Sequence, residues 1–262
     1  MNNIDKQLQA IQGKIGLMTH VVVGYPSLDA TIRIVKTMEE AGVAFVELQI
    51  PFSDPLADGP TIMHACERAL QQGVKVKDAF VVAQKLSKEV VIPLLFMAYY
   101  NTVFRYGVEK FCRDAKEAGI SALIVPDMPI EEESCEHFMA FCKKYGLHNI
   151  QVVSPASNDN RLKKNAQVAN GFVYLTARQG VTGVKEMLDS NLTNFLKRVR
   201  QHFTIPIAVG FGISKKEHIQ ALIGNADIAI VGSAIIDVIN SSKESEIEKN
   251  VSSFIKELKM ID

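Results

Sequence analysis

The sequence lacks an excess of charge of either sign, since its 262 residues include 29 Lys and Arg and 29 Asp and Glu. Such a balance creates no electrostatic field that would recruit nucleic acid or an anionic membrane. No apolar run approaches the roughly 20 residues that a membrane-spanning helix needs. The first ten residues are too polar for a secretory signal. We therefore expect a cytoplasmic protein that binds neither nucleic acid nor membrane.

Motifs for metal and redox chemistry are also lacking. The six His residues form no HxH or HExxH pair, and the four Cys residues show no CxxC spacing. This pattern predicts no metal site and reduced cysteines. None of the predicted strands carries a Lys at its carboxyl end. A Schiff-base aldolase needs a desolvated Lys there, so that mechanism is disfavoured and a chemistry of acids remains.

The hydrophobic content of 47% is ample for a large core, and apolar segments alternate with amphipathic ones along the chain. Most of the apolar segments are unbroken, which is typical of parallel strands covered on both faces. The predicted strands are Leu17–Val23, Ala44–Ile50, Val91–Met97, Ala122–Val125, Ile150–Val153, Phe172–Leu175, Ile205–Val209 and Ile228–Val231.

Eight such β/α repeats predict an α/β fold, a (β/α)8 or TIM barrel over residues 1–262 as a single domain, with a doubly wound open sheet as the alternative. An extra N-terminal helix, Ile4–Ile11, is expected to plug the bottom of the barrel. The second helix is predicted to be doubled, as Thr61–Gln71 and Val76–Val90, because Gly73 separates two helical patterns.

The segment from Val46 to Pro60 combines an apolar strand with an acidic, proline-rich loop. Glu47 lies inside the strand, where an ionised carboxylate loses hydration and has to be paired or protonated. Asp58 follows on the stiff loop. A buried acid at a strand end and a second acid on a rigid loop suit proton transfer. The alternative is a Glu at a solvated strand edge followed by an ordinary turn.

Glycine-rich turns follow the last two predicted strands, at Gly210-Phe211-Gly212 and at Gly232-Ser233. Glycine lets backbone N–H groups approach an anion, and a helix N-terminus adds a favourable dipole. The loops after strands 7 and 8 are the usual phosphate site of this barrel. Two consecutive turns favour a phosphate site over ordinary capping, in which Ser214 would be the N-cap.

The segment 176–191 has no strand pattern and little helical pattern. Loops of that length in a compact domain often act as lids, so we expect a lid that includes Thr182 and Gly183. Tyr174 lies within the sixth strand and faces either the core or the barrel mouth.

The run from Glu47 to Pro60 closely resembles the signature of the tryptophan synthase α subunit family. Supporting motifs follow in the family's order over essentially the whole chain: Tyr99-Tyr100-Asn101, Pro126 to Glu132, Gly180 to Gly183, Gly210 to Ser214 and Gly232 to Ile235. Two positions depart from the pattern. Gln49 stands where Gly is common, and Val22 to Pro26 replaces the more usual Thr-x-Gly-Asp-Pro.

The resemblance implies retro-aldol cleavage of indole-3-glycerol phosphate to indole and glyceraldehyde 3-phosphate. It implies that Glu47 transfers protons and that Asp58 stays ionised and stabilises charge at the indole nitrogen. The substrate-binding residues that it implies are Tyr99, Tyr174, Thr182, Gly183, Phe211, Gly212, Gly232 and Ser233.

The resemblance also implies a partner, a β subunit that holds pyridoxal phosphate in an αββα assembly, whereas no cofactor is expected in this chain. The implied interface residues are Asp54, Pro55, Asn101 and Asp127. Two other hypotheses stay open. One is a different phosphate-binding barrel enzyme, such as an isomerase or indole-glycerol-phosphate synthase. The other is a non-catalytic subunit that only activates its partner.

Overall fold

The computed structural model describes residues 1–176, 190–210 and 212–260. Within these ranges eight parallel strands pair in chain order, and the last pairs with the first to close a barrel. The strands are β1 (Gly16–Val22), β2 (Phe45–Gln49), β3 (Leu94–Met97), β4 (Ala122–Ile124), β5 (His148–Val153), β6 (Val173–Thr176), β7 (Ile207–Gly210) and β8 (Ile228–Val231). The predicted (β/α)8 fold is confirmed, and the open sheet is excluded.

Helices follow the strands and surround the barrel. They are α1 (Asn3–Ala10), α2 (Leu28–Glu40), α3 (Pro60–Gln71), α4 (Val76–Glu89), α5 (Tyr100–Tyr106), α6 (Val108–Glu117), α7 (Glu133–Glu136), α8 (Phe138–Lys144), α9 (Asp159–Val168), α10 (Ser190–Arg200), α11 (Lys216–Gln220), α12 (Ser233–Ser241) and α13 (Ile247–Lys259). Short 3₁₀ turns lie at Ile130–Glu132 and Glu244–Glu246. The predicted doubling of the second helix is confirmed as α3 and α4. No helix in the described ranges is long and apolar enough to cross a membrane.

Side chains along each strand point alternately outward and inward, so the core has one layer between the strands and the helices and another inside the barrel. In β2, Val46 and Leu48 point outward and pack under the helices, whereas Phe45 points inward among the residues that fill the barrel. Successive side chains of a strand point to opposite faces, so Glu47 and Gln49 share the inward direction of Phe45. The polar side chains of β2 are thereby aimed into the barrel.

Helix α1 closes the amino-terminal end of the barrel, as its pattern predicted. Ile4 is fully buried and packs with the inward-facing Met18, Phe45 and Phe172. Asn2 caps the helix, accepting a hydrogen bond from the Ile4 N–H at 2.9 Å. The plug leaves the opposite, carboxyl-terminal end of the barrel as the open one.

The bounds of seven of the eight strands differ from those predicted by one to three residues, and the start of β3 differs most. Strand β3 begins at Leu94 rather than Val91, because the N–H groups of Val91 and Ile92 both donate to the Glu39 carboxylate instead of a strand. Helix α11 begins at Lys216, with Lys215 rather than Ser214 as its N-cap. The Ser214 N–H instead donates to Nδ1 of His218 at 3.2 Å.

Candidate active site

A cavity of about 220 Å³ lies at the carboxyl-terminal end of the barrel. Its polar wall includes His20, Glu47, Asp58 and Tyr174. Its apolar wall is formed by side chains from several strands and from α3, including Ile62, Met97, Ile124, Val152 and Ile230. Catalytic sites of this barrel type form on this face. The structure therefore brings the two acids singled out in the sequence into one cavity.

Glu47 is the more enclosed of the two acids, with an exposed fraction of only 2%. The pairing of β1 with β2 places His20 directly beside it. Nδ1 of His20 lies 3.3 Å from Oε2 of Glu47, an ion-pair distance without the alignment of a hydrogen bond. Burial by itself lowers the pKa of His20, but Glu47, Asp58 and Gln49 together outweigh burial and raise the pKa above 6.5.

Asp58 is half-buried and is held by two donors. Nε2 of Gln49 donates to its Oδ2 at 2.6 Å, and the Tyr99 hydroxyl donates to the same oxygen at 2.9 Å. Burial raises the pKa of Asp58 above 3.8, while His20, Gln49 and Tyr99 act in the opposite direction by favouring the carboxylate. Asp58 is therefore a partly buried carboxylate in a polar network and not a freely solvated one.

Tyr99 anchors the loop that carries Asp58. Its ring stacks on Phe52, with ring centres 5.1 Å apart, and its hydroxyl accepts a hydrogen bond from the Ala57 N–H at 2.9 Å. Tyr99 itself is not among the described residues that line the cavity. Its contacts support Asp58 from behind the cavity wall.

Tyr174 faces the barrel mouth rather than the core, which decides between the two orientations considered from the sequence. It lies next to β7, where a side-chain carbon added at Gly210 would come within 3.3 Å of the tyrosine ring. Burial, and then the nearby carboxylates of Glu47 and Asp58, raise the pKa of the Tyr174 hydroxyl well above 10. Tyr174 is thus neutral at physiological pH and available as a donor.

The glycine turns after β7 and β8 meet at the same cavity. Gly212 has a left-handed backbone, with φ of 67°, which favours glycine. Gly232 is the N-cap of α12, and Ser233 begins the helix at the cavity wall. None of the described residues that line the cavity is Lys or Arg, so the two turns can attract an anion through backbone N–H groups, the helix dipole and the Ser233 hydroxyl. Thr182, Gly183 and Phe211 lie outside the described residues.

The predicted interface residues lie around the same end of the barrel: Asp54, Pro55 and Asp127 in the loops after β2 and β4, and Asn101 in the first turn of α5. Asp54, Asn101 and Asp127 are exposed, whereas Pro55 is buried. Asp127 also accepts a hydrogen bond from the Tyr100 N–H at 2.8 Å. Two exposed apolar side chains, Leu56 and Phe104, lie on the segments that carry Asp54 and Asn101.

Two residues of the cavity network were not assigned a role from the sequence. Gln49 was noted only as a departure from the family pattern, yet it holds Asp58. His20 was not singled out, although a histidine within an apolar strand was a visible signal. Their roles depend on strand register, which places His20 opposite Glu47 and Val22 opposite Gln49.

Comparison with known proteins establishes the family. The model of the tryptophan synthase alpha chain family matches residues 6–261. The chain belongs to this family. The alpha chain of Desulfotalea psychrophila is 46% identical over 226 residues, covering 86% of this chain and 88% of the relative. That of a Thermoanaerobacter species is 39% identical over 264 residues and covers both chains completely.

Solved structures agree with the assignment to the tryptophan synthase alpha family. A chain of the Mycobacterium tuberculosis tryptophan synthase is 29% identical, with a TM-score of 0.89 over 98% of this chain and 96% of its own. A chain of the Pyrococcus furiosus tryptophan synthase complex is 31% identical, with a TM-score of 0.86 over 94% and 98%. The family reaction, cleavage of indole-3-glycerol phosphate to indole and glyceraldehyde 3-phosphate, is the function of this enzyme subunit.

Proposed function

We propose that Glu47 is the proton-transfer residue of the lyase reaction and that Asp58 stabilises the charge that develops at the indole nitrogen. The observation that carries this proposal is that both carboxylates line one cavity whose remaining wall is largely apolar. An indole ring fits such a wall, because its carbon surface needs apolar contact and its N–H needs one acceptor.

The reaction needs a proton at indole C3, an acceptor near N1–H and a base for the glycerol hydroxyl. Glu47, on the floor of the barrel mouth, supplies the proton and then acts as the base. Asp58 is suited to the second task because Gln49 and Tyr99 both donate to its carboxylate and so favour the ionised form. The two acids divide the work because their surroundings differ.

The phosphate of the substrate is assigned to the two glycine turns, at Gly212, Gly232 and Ser233. The first N–H groups of a helix have no acceptor within it. In α12 the Ile235 N–H already donates to the Gly232 carbonyl at 2.9 Å, so the N–H groups proposed to bind the anion are those of Ser233 and Ala234. Binding of this remote group positions the reacting end of the substrate. By the family resemblance Thr182, Gly183 and Phe211 complete this part of the site, and Tyr174 lies beside the indole ring.

The partner proposed for this chain is a tryptophan synthase β subunit in an αββα assembly. The segments around Asp54, Pro55, Asn101 and Asp127 would dock against it, and the exposed Leu56 and Phe104 supply apolar area there. Pyridoxal phosphate is assigned to the β subunit, since the described wall of this cavity offers no Lys for a Schiff base.

One assay tests the reaction and the partner together. The purified chain is incubated with indole-3-glycerol phosphate, and indole release is measured during titration with a β subunit. We expect slow release from the chain alone and faster release as the complex forms, because the loop that carries Asp58 also carries the docking residues and can shift between conformations. Complex formation is followed separately by sedimentation. Identical rates across a titration that demonstrably forms the complex would refute the coupling, and no indole in any sample would refute the lyase assignment.

A further inference from the structure

A buried histidine lies against the proposed proton-transfer residue and is not explained by the roles assigned so far. His20 has an exposed fraction of 4%, lines the cavity, and places Nδ1 3.3 Å from Oε2 of Glu47. We infer that His20 is a positioning residue that holds the transferred proton for Glu47, so that the two side chains work as one acid/base pair. This inference rests on the proposed role of Glu47.

The polar atoms around His20 have unused hydrogen-bonding capacity. Nε2 of His20, Oε2 of Glu47 and Oε1 of Gln49 are buried and form no hydrogen bond of normal geometry, although Glu47 and Gln49 both lie close enough to His20 to raise its pKa. Leaving such a group unpaired lowers stability, and purely structural side chains rarely remain in that state. Unpaired groups that point into a substrate cavity are available for the substrate or for a moving proton.

The charges that face His20 all favour its protonated form. Glu47 reaches it from β2, and Asp58 reaches it from the loop after β2. On β8 the residue beside it is Gly232, which carries no charge. Tyr174, on β6, stays neutral because burial raises its pKa well above 10. The pKa of His20 is accordingly raised despite its burial.

The proton balance of the pair closes over one turnover. Before reaction the pair holds one proton, on His20, and Glu47 is ionised. Glu47 takes this proton and delivers it to indole C3. As the C3–glycerol bond breaks, its electron pair returns to the indole ring, and Glu47 accepts the proton of the glycerol hydroxyl, which becomes the aldehyde. The proton then returns to His20, and the pair is restored.

A titration that does not depend on activity tests the coupling. The imidazole signals are followed by NMR against pH in the parent and in Glu47→Gln, and the His20 signal is identified by its loss in His20→Phe. We expect the His20 midpoint to fall to lower pH in Glu47→Gln, because the neutral amide no longer favours the imidazolium. An unchanged midpoint would overturn the inference, and circular dichroism spectra of Glu47→Gln and His20→Phe check that both variants fold like the parent.

The pH dependence of turnover tests the consequence for catalysis. In the parent, indole release should fall on the alkaline side as the pair loses its proton. In His20→Gln the proton has to stay on a carboxyl group, which is an intrinsically stronger acid than imidazolium. The alkaline fall should therefore move to lower pH, and the rate at pH 7 should drop by roughly tenfold, less than the roughly 10²-fold or more for loss of the acid/base group itself.

A matched control is His148→Gln. His148 also pairs with a carboxylate, since Nε2 lies 2.8 Å from Oδ1 of Asp5, but it lies at the amino-terminal end of β5. Its variant should keep the parent pH profile. If His20→Gln loses the same fraction of the rate at every pH and its alkaline fall stays at the pH of the parent, His20 has only a structural role and the inference is overturned. Near-normal turnover in folded Glu47→Gln would instead remove the proposed role of Glu47, whatever the NMR titration shows.

Discussion

At the scale of single residues, the site depends on two carboxylates with different surroundings. Glu47 is enclosed in the barrel with His20 as its neighbour, whereas Asp58 is half-buried and accepts two hydrogen bonds on one oxygen. Hydrogen bonds to a carboxylate favour its ionised form, and burial disfavours it. The partners of each acid, more than its position in the chain, thus decide which proton chemistry it can perform.

Gln49→Met tests the support of Asp58. Burial raises the pKa of Asp58, and the hydrogen bond from Nε2 of Gln49 lowers it. Without that donor the pKa of Asp58 should rise further. If ionised Asp58 is needed, the fall of activity on the acid side of the pH profile should move to higher pH by about one unit, since a hydrogen bond to a charged group contributes roughly 1.5 kcal/mol. Gln71→Met, an exposed change on α3, is the control. If the activity of Gln49→Met falls at the same acidic pH as that of the parent, Gln49 does not support the ionised form of Asp58.

At the scale of elements, strands and helices were predictable where apolar patterns were strong. The unbroken apolar segments located the eight strands because each is covered on both faces. The predicted start of β3 was wrong because Val91, although apolar, is 90% exposed and bonds a carboxylate from α2. Ser214 was a plausible cap by residue type, but its N–H turns toward His218. The start of a strand or the cap of a helix thus depends on contacts with side chains that the local sequence pattern does not reveal.

Helix α1 offers a test of the barrel plug. Ile4→Ala should lower the free energy of unfolding by about 2–5 kcal/mol, because Ile4 is fully buried and the change leaves a cavity in the barrel. Turnover at 25 °C should be unchanged, since the plug lies at the end opposite the site. Urea unfolding of Ile4→Ala and of the exposed control Lys6→Ala gives the comparison. Equal stability losses in the two variants would show that α1 is not part of the folded core.

The turn into α12 offers a test of phosphate binding. Ser233→Asp places a carboxylate where the helix dipole favours an anion, so it should occupy that position and repel the substrate phosphate. At a few ångströms the repulsion is at least about 1 kcal/mol, and more where water is excluded. Calorimetry should show weaker binding of indole-3-glycerol phosphate and unchanged binding of free indole. Unchanged affinity for the phosphorylated ligand would place the phosphate elsewhere.

At the scale of the whole molecule, the count of eight β/α repeats predicted a closed barrel. A closed barrel in turn predicted that the site lies where the carboxyl ends of the strands meet. The sequence predicted that the ends of the strands meet, and hence that Glu47, Asp58 and the glycine turns lie near one another. It could not predict that His20 faces Glu47 or that Gln49 reaches Asp58. These contacts need the register of β1 against β2 and the path of one loop, which no local pattern contains.

The most direct test of the whole account is indole release by Glu47→Gln beside the parent chain. The substitution keeps the size of the side chain and removes its ability to carry a proton, so the circular dichroism spectrum and indole binding should match those of the parent. Turnover of indole-3-glycerol phosphate should fall by roughly 10²-fold or more, the usual loss when a general acid/base is removed. A folded Glu47→Gln protein that releases indole at nearly the parent rate would contradict the account.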